Sequence, residues 1–172
     1  MSETCVGIIG GGQLGSMLSV AAKKINIKTI VISDDEDAPA KFFADEFIYT
    51  NYKNIDKIQE FCNKCDYITF EFENIPYSIL SEINKIKKVQ PKPNINKILQ
   101  NRLTEKEFLN QNNIKITSYI SIKNKDELRS GKDYIPGILK TCTLGYDGKG
   151  QFKINNEQEL DNLEINFDNK EY

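Results

Sequence analysis

The sequence predicts an α/β protein built on a parallel sheet, and three observations carry that prediction. A short apolar run, Cys5-Val6-Gly7-Ile8-Ile9, leads directly into Gly10-Gly11-Gly12-Gln13-Leu14-Gly15. Helical periodicity follows, so strand, glycine turn and helix stand in the order of an anion-binding βα unit. Strand-like and helix-like segments then alternate to about residue 86, which implies crossover connections and a Rossmann-like sheet.

Each element has its own signal. Residues 5–9 read as a buried parallel strand because they are apolar without alternation. Leu14, Met17, Leu18, Ala21, Ala22 and Ile25 recur at helical spacing after the glycines. Residues 28–33 (KTIVIS) form the second strand, and Asp34 ends it about 20 residues past the glycines, where a ribose-binding acid would stand. A nicotinamide-type dinucleotide site is thus one reading of the turn. A solvated acidic turn, Asp34 to Asp37, leading into Pro39 is the other. Residues 46–50 read as a short strand, and Ile55, Ile58 and Cys62 mark a helix. Residues 66–72 (DYITFEF) form a strand rich in β-branched and aromatic side chains. Glu71 and Glu73 close it, and strand alternation would turn both carboxylates to one side, at a ligand crevice or along a polar edge. Pro76 suits the first turn of a helix over residues 77–86.

A second rhythm begins near Lys92, which divides the chain into residues 1–92 and 93–172. Residues 89–93 form a break, and residues 94–100 a short helix. Thr104 and Glu107 fit a capping box for the next helix. Residues 114–122 alternate as a strand, and residues 126–129 belong to a short helix. Residues 135–140 form an apolar strand ending in Lys140. A glycine-rich loop and the alternating Gln151-Phe152-Lys153-Ile154 follow. Glycines admit close approach of backbone N–H groups to an anion, and lysines add charge. The same composition also suits a solvated glycine-rich hairpin. Residues 155–172 are polar and weakly helical.

Composition narrows the function classes. An apolar fraction of 39% and a charged fraction of 28% allow one globular core or two small ones. A net charge of −2 argues against nucleic-acid and anionic-membrane partners. No run reaches membrane-spanning length and no leader pattern opens the chain, so a cytoplasmic location is expected. The chain has no histidine, which excludes His-based acid–base chemistry and His-ligated metal sites within it. Cys62 and Cys65 have CxxC spacing, but no second pair or histidine completes a metal site, so packed thiols are expected.

Several motifs stand in one order: GGGQLGSM at residues 10–17, EFENIP at 71–76, RLTEK at 102–106, Leu139-Lys140-Thr141, and GYDGKGQ at 145–151. Together they resemble the N5-carboxyaminoimidazole ribonucleotide synthetase family. This is the ATPase component of bacterial-type phosphoribosylaminoimidazole carboxylase, within the ATP-grasp superfamily. The resemblance spans nearly the whole chain. It implies a Rossmann-like pre-ATP-grasp domain followed by the first part of an ATP-grasp domain. It also implies carboxylation of 5-aminoimidazole ribonucleotide with ATP, Mg²⁺ and bicarbonate in purine biosynthesis, through a carboxyphosphate intermediate. Related ATP-grasp ligases, such as the formate-dependent glycinamide ribonucleotide transformylase, share the architecture but differ after the glycine turn. A non-catalytic nucleotide-binding or assembly module is the third reading.

Residue roles follow from the resemblance alone. Arg102 and Lys140 match ATP-contacting positions, and Gly145, Tyr146, Asp147, Gly148, Lys149, Gly150 and Gln151 match the loop that folds over the triphosphate. Gly12, Gln13 and Leu14 match positions near the ribonucleotide. Glu73 matches an acid that accepts hydrogen bonds from a ribose or amine. Tyr146 and Asp147 match the place where lid meets substrate, and Asp147 is the candidate for orienting, or exchanging a proton with, the aminoimidazole. Two positions depart from the pattern. Ser16 stands where an arginine is usual, which removes a cation. Leu144 stands where the loop usually has a glycine, at a cost if that position needs a positive φ. Family members also continue well past residue 172. Their Mg²⁺ ligands are expected in that later part, so little activity is expected from this chain alone; family members are usually homodimers, so the resemblance implies a homodimer or a complementing C-terminal chain.

Overall fold

The structure, a computed structural model, describes residues 4–145, 149–167 and 171–172. The chain divides into two compact units, Met1–Lys97 and Ile98–Tyr172, against the boundary expected near Lys92.

In the first unit, strands β1 (Cys5–Ile9), β2 (Lys28–Ser33), β3 (Glu46–Tyr49) and β4 (Tyr67–Phe70) form one sheet of order β3-β2-β1-β4. Every pairing is parallel, with Ile9 beside Ile32 on one flank and Phe70 on the other. Side chains alternate across a strand, so both faces must be covered. Ile9, Ile30, Ile32 and Ile68 meet Phe61, Leu80 and Ile83 from helices α2 (Ile55–Lys64) and α3 (Tyr77–Ile86). Ile8 and Val31, in register on neighbouring strands, face the other way and pack with Ala40. Acids anchor two strand starts: Asp66 accepts from the Cys5 N–H and Asp45 from the Thr29 N–H, both at 2.8 Å. Val89 adds a single parallel bridge to Ile68.

Helix α1 (Gln13–Lys24) runs where the sequence places it but turns the other way. Its buried residues are Gly15, Ser16 and Ser19. Leu14, Met17, Leu18 and Ile25 are 56%, 60%, 42% and 67% exposed. The periodic apolar stripe therefore lies opposite the sheet. The cause is distance: a Cβ on Gly15 would sit 2.7 Å from the Gly10 carbonyl oxygen, so only small residues fit that face.

In the second unit, strands β5 (Gly137–Lys140) and β6 (Gln151–Ile154) form an antiparallel hairpin pairing Lys140 with Gln151. Helices α5 (Arg102–Gln111), α6 (Lys125–Leu128) and α7 (Glu157–Asp161) accompany it. Helix α4 (Pro93–Leu99) spans the division between the units. The core gathers Ile122, Leu128, Leu139, Ile154, Leu160 and Tyr172. Two expectations are corrected. Asn101, not Thr104, caps α5: its side chain accepts from the Leu103 and Thr104 N–H groups, while the Thr104 hydroxyl donates to backbone carbonyls. Residues 114–122 are assigned no strand among the described residues, although Ile122 and Tyr172 exchange backbone bonds of 2.8 and 3.0 Å.

Candidate functional site

The first unit presents the glycine turn at the carboxyl ends of β1 and β4. Gly10 has φ 104°, a conformation that favours glycine, and its N–H donates to Ile32. The turn delivers the chain to Gly12, the N-cap of α1, which has no side chain to cap the helix. The acceptor comes from just past β4 instead: Glu71 Oε1 accepts from the Gly12 N–H at 2.9 Å, 59 residues away in sequence. Strand β4 ends at Phe70, so Glu71 and Glu73 both lie beyond it, with Glu73 in a turn. Strand alternation therefore does not set their directions, a correction to the expected pairing. Gln13, Leu14 and Glu73 are exposed and Gly12 is half-buried. Ser16, where an arginine was expected, is buried, and its hydroxyl donates to the Gly12 carbonyl at 3.0 Å. Asp34 lines a separate cleft of about 350 Å³ with Asn51, Tyr52, Lys53, Asn74 and Ser78. Burial, followed by the charge of Asp34, pushes the Tyr52 phenol well above its usual range.

The cysteines are all buried as free thiols. Burial raises Cys5, Cys62, Cys65 and Cys142, which keeps them protonated and unreactive at neutral pH.

The second unit holds a cleft of about 460 Å³ between the hairpin and the segment after α5. Ile120, Ile122, Leu139 and Ile154 supply apolar walls, while Lys106 and Lys140 supply cations. Lys106 lines this cleft, although the sequence gives it no role of its own within RLTEK. A position on α5 says nothing of the cleft until residues 117–120 fold beside it. Its Nζ lies 5.1 Å from the centroid of the Tyr119 ring and reaches Thr117 Oγ1 at 3.4 Å.

Arg102 acts at the loop itself. Its guanidinium donates to the Gly145 carbonyl at 3.2 Å, and its N–H donates to the Cys142 carbonyl at 2.8 Å. Thr141 fills the loop interior, and a Cβ on Gly145 or Gly150 would approach Thr141 Oγ1 to 2.8 or 2.6 Å. Leu144 has φ 58° and is 72% exposed, so the position does require the left-handed backbone that a glycine adopts without cost. Gln151 pairs with Lys140 at the hairpin mouth, and Lys149 is exposed. Tyr146, Asp147 and Gly148 lie outside the described residues.

A parallel sheet with its glycine turn, followed by a lysine-bearing hairpin and loop, defines the pre-ATP-grasp and ATP-grasp class. The ribonucleotide synthetase preATP-grasp domain family matches residues 3–100, and the ATP-grasp domain family matches residues 107–171. The chain belongs to the ribonucleotide synthetase preATP-grasp family.

It is 40% identical over 157 residues to an N5-carboxyaminoimidazole ribonucleotide synthase of Staphylococcus aureus, covering 90% of this chain and 42% of that protein. The structure of N5-carboxyaminoimidazole synthetase from Staphylococcus aureus complexed with ADP superposes with a TM-score of 0.84 at 39% identity, over 91% of this chain and 43% of that one. The Aspergillus clavatus synthase in complex with ADP and 5-aminoimidazole ribonucleotide gives a TM-score of 0.75 at 26% identity, over 93% and 43%. The chain thus spans well under half the length of these relatives, and the likeness is to their N-terminal portion.

Proposed function

We propose that this chain supplies the substrate-side domain and the phosphate-facing lid of an ATP- and bicarbonate-dependent carboxylation. The product is N5-carboxyaminoimidazole ribonucleotide, formed from 5-aminoimidazole ribonucleotide. One observation carries the reading: Lys106 and Lys140 line one apolar-walled cleft beside a glycine loop that Arg102 holds. Such a cleft suits a nucleotide, with its base against apolar walls and its phosphates against fixed ammonium groups. The names of the relatives select the ribonucleotide substrate from among ATP-grasp chemistries.

In this reading Lys140, Lys106, Lys149 and Gln151, with the backbone of Gly145 and Gly150, hold the triphosphate. Arg102 acts as the brace of the lid and also matches an ATP-contacting position. Gly12, Gln13, Leu14 and Glu73 meet the ribonucleotide, and Asp147 orients its amine. Neutralising charge as the phosphoryl group moves to bicarbonate is the work these cations do. Mg²⁺ accompanies ATP in the reading. Among the described residues no group of three or more Cys, Asp or Glu could hold a metal ion, so no ligand is assigned and no step is routed through it. A cytoplasmic homodimer, or a complementing C-terminal chain, completes the proposal. Among the described residues no helix is long and apolar enough to cross a membrane.

The test is ADP formation dependent on aminoimidazole ribonucleotide and bicarbonate, with the C-terminal portion of the Staphylococcus aureus relative supplied in trans. Turnover that follows glycinamide ribonucleotide and formate instead would transfer the chain to the related ligase. A second reading is nucleotide binding without turnover, for which the two lysines of the one cleft would suffice. ATP binding with no ADP formation in any mixture would favour it.

A further inference from the structure

Helix α5 turns one face toward the chain that follows it. Arg102, Lys106 and Asn110 stand at intervals of four residues, so their side chains lie one above the other. Each reaches beyond the helix. Arg102 donates to the Gly145 carbonyl at 3.2 Å. The Lys106 ammonium lies 5.1 Å from the centroid of the Tyr119 ring and 3.4 Å from Thr117 Oγ1. The Asn110 amide donates to the Tyr119 hydroxyl at 3.3 Å. Tyr119 is therefore tied to α5 at its hydroxyl and offers its ring to the ammonium one turn earlier. Lys106 and Tyr119 both line the cleft of about 460 Å³. Among the described residues no carboxylate pairs with Lys106, so its charge is not neutralised there.

We propose that Tyr119 is a positioning residue whose ring aims the Lys106 ammonium into the cleft. Two contacts hold that ammonium, and their geometry ranks them. The 3.4 Å bond to Thr117 is at the long limit of hydrogen bonding and restrains little. A cation within about 6 Å of an aromatic centroid is drawn to the ring face, so the ring is the main restraint. A free lysine side chain loses much rotamer freedom when it grips an anion, and one already restrained loses less. The ring thereby raises anion affinity without touching the anion. That the anion is the triphosphate of ATP rests on the carboxylase reading above; the aim of the ammonium does not.

The test has two readouts on the full chain. The first needs no nucleotide: ¹³C-labelled lysine, with the Lys106 signal assigned by its loss in Lys106→Ala. The Lys106 ε-methylene protons are expected to be shifted upfield by the ring in the wild type and in Tyr119→Phe, and to lose that shift in Tyr119→Leu. The second is ATP titration by calorimetry. Tyr119→Phe is expected to bind like the wild type, and Tyr119→Leu about two- to fivefold more weakly. In the Lys106→Ala background the leucine substitution is expected to cost nothing further, whereas a merely structural tyrosine would cost the same in both. If the leucine variant does not fold, Tyr119→Phe decides: retained shift and affinity support the ring, and loss of both assigns the role to the hydroxyl and overturns the proposal. An unshifted Lys106 signal in the wild type, or equal losses with and without Lys106, also overturns it. A ring-shifted Lys106 in a chain that binds no ATP sinks the carboxylase reading and leaves the aim of the ammonium standing.

Discussion

The Arg102 guanidinium donates to the carbonyl oxygen of Gly145 at 3.2 Å, across 43 residues of chain. The residue that opens α5 thus holds the loop that follows β5. A charged hydrogen bond of this kind contributes roughly 1.5–3 kcal/mol when sheltered, and less at a half-buried site such as this one. Arg102→Ala is expected to speed amide exchange at residues 142–145 and to weaken ATP binding about five- to tenfold, with the fold retained by circular dichroism. Unchanged exchange would show that the bond does not hold the loop.

Lys106 and Lys140 share a cleft wall. Each ammonium facing a phosphate is worth about a factor of ten in affinity, roughly 1.4 kcal/mol. Lys140→Ala and Lys106→Ala are each expected to raise the dissociation constant for ATP about tenfold by calorimetry. An unaffected Lys106→Ala variant would remove that residue from the site, leaving Lys140 to be judged separately.

Leu144 holds φ 58° with most of its side chain in solvent. The left-handed backbone costs an L-residue roughly 1–2 kcal/mol, and glycine gives back roughly 0.5–1 kcal/mol through its freer unfolded chain. Leu144→Gly is expected to stabilise the protein by about 0.5–1 kcal/mol in urea unfolding. A lower midpoint would mean that the leucine makes contacts that outweigh its backbone.

Gly15 meets the Gly10 carbonyl where a Cβ would stand at 2.7 Å, and that neighbour is backbone, which cannot swing aside. Gly15→Ala is expected to cost about 1–3 kcal/mol of stability. Leu18→Ala, on the exposed stripe of α1, is expected to cost under about 0.5 kcal/mol. Comparable losses in the two variants would contradict the orientation of α1.

The buried thiols set an alkaline limit. Burial raises Cys5, Cys62, Cys65 and Cys142 above the ordinary value of 9.0. A folded-state pKa above the unfolded one gives stability that is complete below the unfolded value and lost as pH rises beyond it. Melting temperature is therefore expected to fall above about pH 9, with a shallower slope in Cys65→Ala. At pH 8 a thiol reagent is expected to leave the native chain unmodified and to label four cysteines after denaturation.

Much of this was legible in the residues. Strand β2 lies at the positions its apolar run indicated, and the turn at residues 10–12 joins β1 to α1 as the glycines required. Leu144 stands out in the sequence as a departure from glycine, and its φ of 58° is the conformation that makes the departure costly. What was missed shares one cause. Periodicity reports which residues lie on one face of a helix, not which face meets the sheet. So α1 buried Gly15, Ser16 and Ser19 rather than its leucines. Alternation over residues 114–122 reports an extended chain, not the presence of a neighbour to pair with.

The sequence by itself determined the order of strands and helices in the first unit and the two motif-bearing segments. Local propensity and spacing suffice for these, because each depends on residues close together in the chain. Only the tertiary structure decided that Glu71 reaches the Gly12 N–H, that Arg102 grips Gly145, and that Lys106 joins Lys140 in one cleft. Those contacts join residues 59, 43 and 34 positions apart in the numbering of the chain. A hydrogen bond or a cleft wall depends on distance in space, which spacing along the chain does not encode.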